Sequence, residues 1–127
     1  MAYLAGEFFG TARVQKYTAS AAISRGAVVT ITPNASSTAA TCAEAGAGPF
    51  AVAIEDIENG AVGRFVTKGE VAVDCSGNCY TGAIVTGSGG KVKACTTDPS
   101  GNYIKPLGRM VIGAASGNVG VVDMWGT

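Results

Sequence analysis

Residues 50–74 read FAVAIEDIENGAVGRFVTKGEVAVD. Phe50 to Ile54 form a short apolar run, and Asn59-Gly60 is a turn signal. A second run passes through Phe65 and Val66, and Lys68-Gly69 reads as another turn into Val71 and Val73. Each run has the period of two that a strand shows when it buries one face. The connections are too short for helical crossovers, so these strands are expected to run antiparallel or as a meander.

The same signals recur on either side of this stretch. Arg13 to Tyr17 reads as a first strand. Ile23-Ser24-Arg25-Gly26 is a turn leading into a strand over 27–32, which Pro33 and Asn34 end. A short strand near Ala40–Ala43 fits the small polar segment 35–48 better than a helix, because no apolar stripe exists to dock one. Ala83–Thr86 and Lys91–Cys95 flank Gly87-Ser88-Gly89-Gly90, which is a hairpin signature. Gly108–Gly113 and Val119–Trp125 supply the closing strands. The expectation is an all-β fold, a small β-barrel or sandwich of about eight to ten short strands. An apolar N-terminal arm, residues 1–10, precedes a single β domain over 11–127.

Composition agrees. The chain has 127 residues, the length of one domain. Glycine supplies 19 of them, about twice the usual ~7 %. Leucine occurs only at Leu4 and Leu107, and β-branched residues dominate the apolar set. Side chains this small give a thin core, so part of the stability is expected from subunit contacts.

Nine basic residues balance nine acidic ones without a basic cluster, which argues against nucleic-acid binding. No apolar stretch reaches membrane-spanning length, and the N-terminus lacks the basic and apolar regions of a secretory signal. Synthesis in the cytoplasm is the expectation. With no histidine, Ser-His-Asp and Cys-His catalysis are excluded. Glu55, Asp56 and Glu58 form the one acidic cluster, but neighbours on a strand point to opposite faces. Gly87-Ser-Gly-Gly-Lys91 resembles a fragment of a phosphate-binding loop, yet Val92 follows where Ser or Thr is needed, in a strand–turn–strand context. Neither an enzyme active site nor a cofactor, metal or small-molecule substrate site is expected.

Four cysteines occur, at 42, 75, 79 and 95. Zinc sites usually show a two-residue gap, whereas the only close pair here is Cys75-Ser-Gly-Asn-Cys79. Two readings stand side by side. In one, Cys75 pairs with Cys79, or Cys42 with Cys95, in a disulfide; in the other, all four are small buried apolar residues. The arm carries Tyr3, Leu4, Phe8 and Phe9 around Gly6 and Gly10. It either packs on its own domain or docks on a partner, and in the second case Trp125 joins these four as contact residues.

The order of pieces resembles a known family. Ile23-Ser24-Arg25-Gly26-Ala27-Val28-Val29 is similar to its Ile-Ser-x-Gly-x-x-Val opening. Ala51-Val52-Ala53 with Ile57-Glu58-Asn59-Gly60-Ala61-Val62-Gly63 resembles its Val-Ala and Gly-x-x-Gly centre. Thr67-Lys68-Gly69-Glu70-Val71, Gly82-Ala83-Ile84-Val85 and Gly108–Gly113 are similar to its later elements. The family is that of small capsid decoration (cement) proteins of tailed bacteriophages, often mislabelled as phage RecA/RadA-type recombinases. The resemblance spans roughly residues 11–125; the arm and the Cys75–Cys79 loop depart from the pattern. It implies a β-rich, non-enzymatic virion protein on the capsid exterior. Such a protein bridges neighbouring major capsid subunits, commonly as a homotrimer. The recombinase label fails, since no nucleotide-binding loop is present and the chain is too short. Two other readings remain: a receptor- or carbohydrate-binding β module with Tyr80, Tyr103 and Trp125 as a sugar platform, or a self-assembling filament subunit.

Overall fold

A computed structural model describes residues 3–10, 12–32, 38–41, 49–97, 99–103 and 105–125. Among these residues there are nine strands and no helix: β1 (Arg13–Ala19), β2 (Val28–Thr32), β3 (Thr38–Thr41), β4 (Phe50–Ala53), β5 (Val62–Asp74), β6 (Ile84–Ser88), β7 (Lys91–Ala94), β8 (Gly108–Ile112) and β9 (Val119–Met124). The order is β1-β3-β2-β4-β5-β9-β8-β6-β7, and β5 also pairs with β1. The first five strands therefore close into a barrel. The other four extend from β5 as an outer sheet.

β5 belongs to both parts. It runs unbroken for 13 residues, so Lys68-Gly69 is not the turn expected from the sequence. Its first half pairs with β1 and β4, and its second half with β9. Gly69 is where the strand changes partners. It has φ +107°, and a Cβ there would lie 2.7 Å from Ala12 Cα. The register against β1 shifts at the neighbouring Arg13/Val14 step. The positive φ that marked a turn thus serves a bend within a continuing strand.

The short links between neighbours give antiparallel pairs, as expected for β4–β5, β6–β7 and β8–β9. One pair breaks the rule: β1 and β3 run parallel, with Thr18 opposite Thr38. β2 lies between them in the chain and provides the crossover. The glycine hairpin forms with a shorter turn than read: Gly87 and Ser88 belong to β6, Ser88 lies opposite Lys91, and Gly89-Gly90 make the tip, both at positive φ.

Two cores result. Ala19, Ala39, Ala51, Ala53, Val29 and Phe65 are among those filling the barrel. Val28, Phe50, Val52, Val66, Val71, Val122 and others lie between the barrel wall and the outer sheet. The 50–53 run was expected to bury one face. It buries both, Phe50 and Val52 toward the outer core and Ala51 and Ala53 toward the barrel interior. A five-stranded barrel is narrow, so its core mixes four alanines with Ile23, Val29, Ile31 and Ile57 around one Phe65 ring.

Candidate docking surface

The arm is held on its own domain by backbone pairing. Gly6 N–H donates to Ala72 O (2.8 Å), Ala72 N–H to Glu7 O (2.7 Å) and Phe9 N–H to Glu70 O (3.0 Å). Phe8 lies opposite Val71, whose other neighbour is Val122 of β9. The arm thus covers the free edge of the second half of β5, and an unpaired edge there would invite association. Its start is a tight turn in which Leu4 N–H donates to Glu7 Oε1 (2.7 Å) and Glu7 N–H to Leu4 O (3.0 Å). That turn rests on the Ser24–Gly26 turn: Ala5 comes so close to Gly26 that a Cβ there would overlap it.

The five candidate contact residues are not one cluster. Phe8 faces the same way as Val71, toward the edge of the outer core, and is 45 % exposed. Phe9 points to the other face, where its ring meets Tyr3 edge-on at 5.4 Å. Trp125 follows the buried Met124 and so turns to the outer face with Asp123. Its N–H donates to Leu107 O (3.2 Å), and its side chain is 46 % exposed. Asp123 stands opposite Glu70, the residue that holds Phe9. Trp125 and the Tyr3–Phe9 pair therefore share the outer face of the sheet two strands apart, roughly 10 Å by strand spacing. Leu4, at 65 %, is among the most exposed large apolar side chains.

A second apolar patch was not singled out in the sequence. Val111 and Ile112 are consecutive yet both exposed, because the β8–β9 register shifts between Met110 and Ile112. Tyr80, 71 % exposed, belongs to the same end of β8, since Cys79 bridges Ala114. The available sequence signal was the unbroken Met110-Val111-Ile112 run in a strand that otherwise alternates. Tyr80 and Trp125 attach to opposite ends of β8, at Ala114 and Leu107, roughly 20 Å apart along the strand. Those two cannot line one sugar ring.

Two of the charged candidates, Glu55 and Asp56, have structural partners. Glu55 Oε2 accepts Arg64 N–H (2.9 Å) and Arg64 Nε–H (3.1 Å). The Arg64 hydrogen bonds hold its carboxyl below the usual range. Asp56 Oδ1 accepts Arg25 N–H (2.8 Å) and fixes the turn on which the arm rests. Both lie in the bend after β4, outside the strand, so they diverge for a different reason from the alternation expected. Glu58 is exposed. Lys91 is an exposed residue of the edge strand β7, where lysine discourages further pairing.

Cys75 and Cys79 are buried free thiols of the outer core. Cys42 lies outside the described residues. Cys95 hydrogen-bonds Thr96 O at 3.5 Å.

The fold is similar to that in the crystal structure of the head fiber gp8.5 N base of bacteriophage phi29. The TM-score is 0.66 with 17 % identity, over 88 % of this chain and 92 % of that one. No family model and no curated protein matches the chain. At this identity the likeness establishes a shared all-β architecture.

Proposed function

We propose that this chain is a structural protein of a phage virion, carried on the outside of the head and without enzymatic activity. The observation that carries the reading is the fold shared with a head-fibre base over nearly the full length of both chains. The sequence resemblance to capsid decoration proteins, which rests on the order of short motifs, supports the same reading. Glu55 and Asp56, from its one acidic cluster, hold turns, which suits a scaffold.

The finer reading is a cement protein that bridges neighbouring major capsid subunits as a homotrimer. A head expands as it matures, and a subunit whose footprint spans several capsid proteins fits only one spacing. Binding only the expanded state stabilises that state by mass action. Three linked copies on one lattice gain avidity without new contacts. Leu4 and Phe8 on the arm, and Tyr3, Phe9 and Trp125 on the outer face, are the proposed contacts. The arm contributes by presenting side chains while its backbone stays on β5. A second reading, favoured by the likeness to the phi29 head-fibre base, is an anchor: the domain seats on the head and carries a fibre.

The test mixes purified full-length chain with expanded and unexpanded heads that lack it, then sediments the heads after mild salt washing. Retention on expanded heads alone supports cement. Equal retention on both supports the anchor reading. Loss from both refutes the head-exterior proposal.

A further inference from the structure

Cys75 follows the last residue of β5, and Cys79 forms the next bridge, to Ala114. Between them Ser76, Gly77 and Asn78 are exposed, and Gly77, at φ +80°, reverses the chain. The reversal brings both sulfurs into the same core. Cys75 bridges Val92 and Cys79 Sγ approaches Val92 O at 3.7 Å, so both cysteines meet at the same residue of β7. Neither side chain is more than 1 % exposed.

We propose that Cys75 and Cys79 close into an intrachain disulfide by exchange with a small-molecule disulfide, once the protein leaves a reducing compartment. The step needs neither a docking partner nor the proposed function. Cys75 loses its proton to solvent, and its thiolate attacks one sulfur of the small disulfide. One small thiol leaves, and a mixed disulfide remains on Cys75. The Cys79 thiolate then attacks the Cys75 sulfur, and the second small thiol leaves. Two protein thiols are oxidised and one small disulfide is reduced to two thiols.

The surroundings say how the step is gated. Burial pushes both thiols up, Cys79 to about 12, so exchange in the closed state is slow. The way in is the 76–78 loop. It is held from outside by Gly77 N–H to Ser116 Oγ (3.1 Å) and Ser116 N–H to Asn78 Oδ1 (3.1 Å). Beside it is an open hollow of about 410 Å³ lined by Asn78, Cys79, Tyr80, Thr81 and Gly113 among others. Breaking two exposed hydrogen bonds would let a reagent in this hollow reach the sulfurs. Once formed, the disulfide holds together the residues that join the end of β5 to the 114–117 turn and to β7.

The experiment uses the full chain with Cys42→Ser and Cys95→Ser, leaving only this pair. The folded protein is incubated with oxidised glutathione, blocked with N-ethylmaleimide, and measured by intact mass and non-reduced peptide mapping. A parallel sample is unfolded and refolded in the same buffer. The expected product has lost two hydrogens, takes up no maleimide and yields a Cys75–Cys79 linked peptide. Its Gly77 and Asn78 amides should exchange at least about tenfold more slowly. Closure only on refolding would overturn the proposed route, since opening of the 76–78 loop would then not admit the reagent to the folded protein. Two blocked thiols in both samples, or stable glutathione adducts on either cysteine without ring closure, would overturn it.

Discussion

Replacing Phe65 with alanine should test the closed barrel more sharply than any other single change. Phe65 is the largest side chain with no exposure at all, and it sits on the inner face of β5. Its ring meets Tyr17 at 5.8 Å across the β1–β5 seam. Phe→Ala in a core costs about 3–5 kcal/mol, and the value depends on how far the walls can move in. Here the lining includes Ala19, Ala39, Ala51 and Ala53, which have no rotamers to swing into a void, and Ile23, Val29, Ile31 and Ile57, whose β-branched side chains are stiff at χ1. The upper part of the range, about 4–5 kcal/mol, is therefore expected. Unfolding entropies of about 2.1 cal/mol/K per residue give ~0.27 kcal/mol/K for a chain of 127 residues. Tm should then fall by roughly 15–18 °C. Urea unfolding followed by circular dichroism would measure the loss, with an unchanged m-value showing that the change is one of stability. A loss below about 2 kcal/mol would mean that the site collapses freely, and the narrow, stiff interior would be wrong.

Gly113→Ala and Gly117→Ala separate two uses of glycine. At 113 a Cβ would lie 2.5 Å from both Cys79 O and Thr81 N, so overpacking of about 1–3 kcal/mol is expected in urea midpoints. At 117 the space is open but φ is +82°, and a strain of about 1–2 kcal/mol should appear without loss of the 113–114 pairing in hydrogen exchange. Glu55→Gln should lower thermal stability slightly at neutral pH. The folded carboxyl lies below its ordinary 4.5, so its stabilisation is present above that value and is lost as pH falls through the folded one. Wild type and variant should therefore converge on acidification, and a difference that grows in acid would contradict the Arg64 pairing. Phe8→Ala should cost docking more than folding. The ring is 45 % exposed, so docking can bury about half of it, worth ~1 kcal/mol per copy. A trimer would then lose on the order of 100-fold in head binding, measured by sedimentation.

Much of the strand pattern was legible because local chemistry dictates it. The Gly89-Gly90 hairpin, the Asn59-Gly60 turn and the Val119–Met124 strand all rest on residues whose neighbours in sequence set their conformation. What escaped was set at a distance. Gly69 signals positive φ in a turn and in a bent strand alike, and only the change of partner from β4 to β9 decides between them. The alternation at 50–53 shows which residues share a face, but not that a second sheet covers the other face. The parallel β1–β3 pair depends on barrel closure. At the candidate surface, the arm's apolar residues stood out, whereas its backbone pairing with residues 70–72 has no sequence signature. The Val111–Ile112 patch was hidden for the same reason, since a register shift turns both residues outward.

Cryo-electron microscopy of the native phage particle at a resolution that traces strands would test the central claim most directly. The account predicts nine-strand density in three-fold clusters on the outer surface of the expanded head, with the arm and the Trp125 face against neighbouring major capsid subunits. Density for this fold at the tail, inside the head or nowhere on the particle would contradict it.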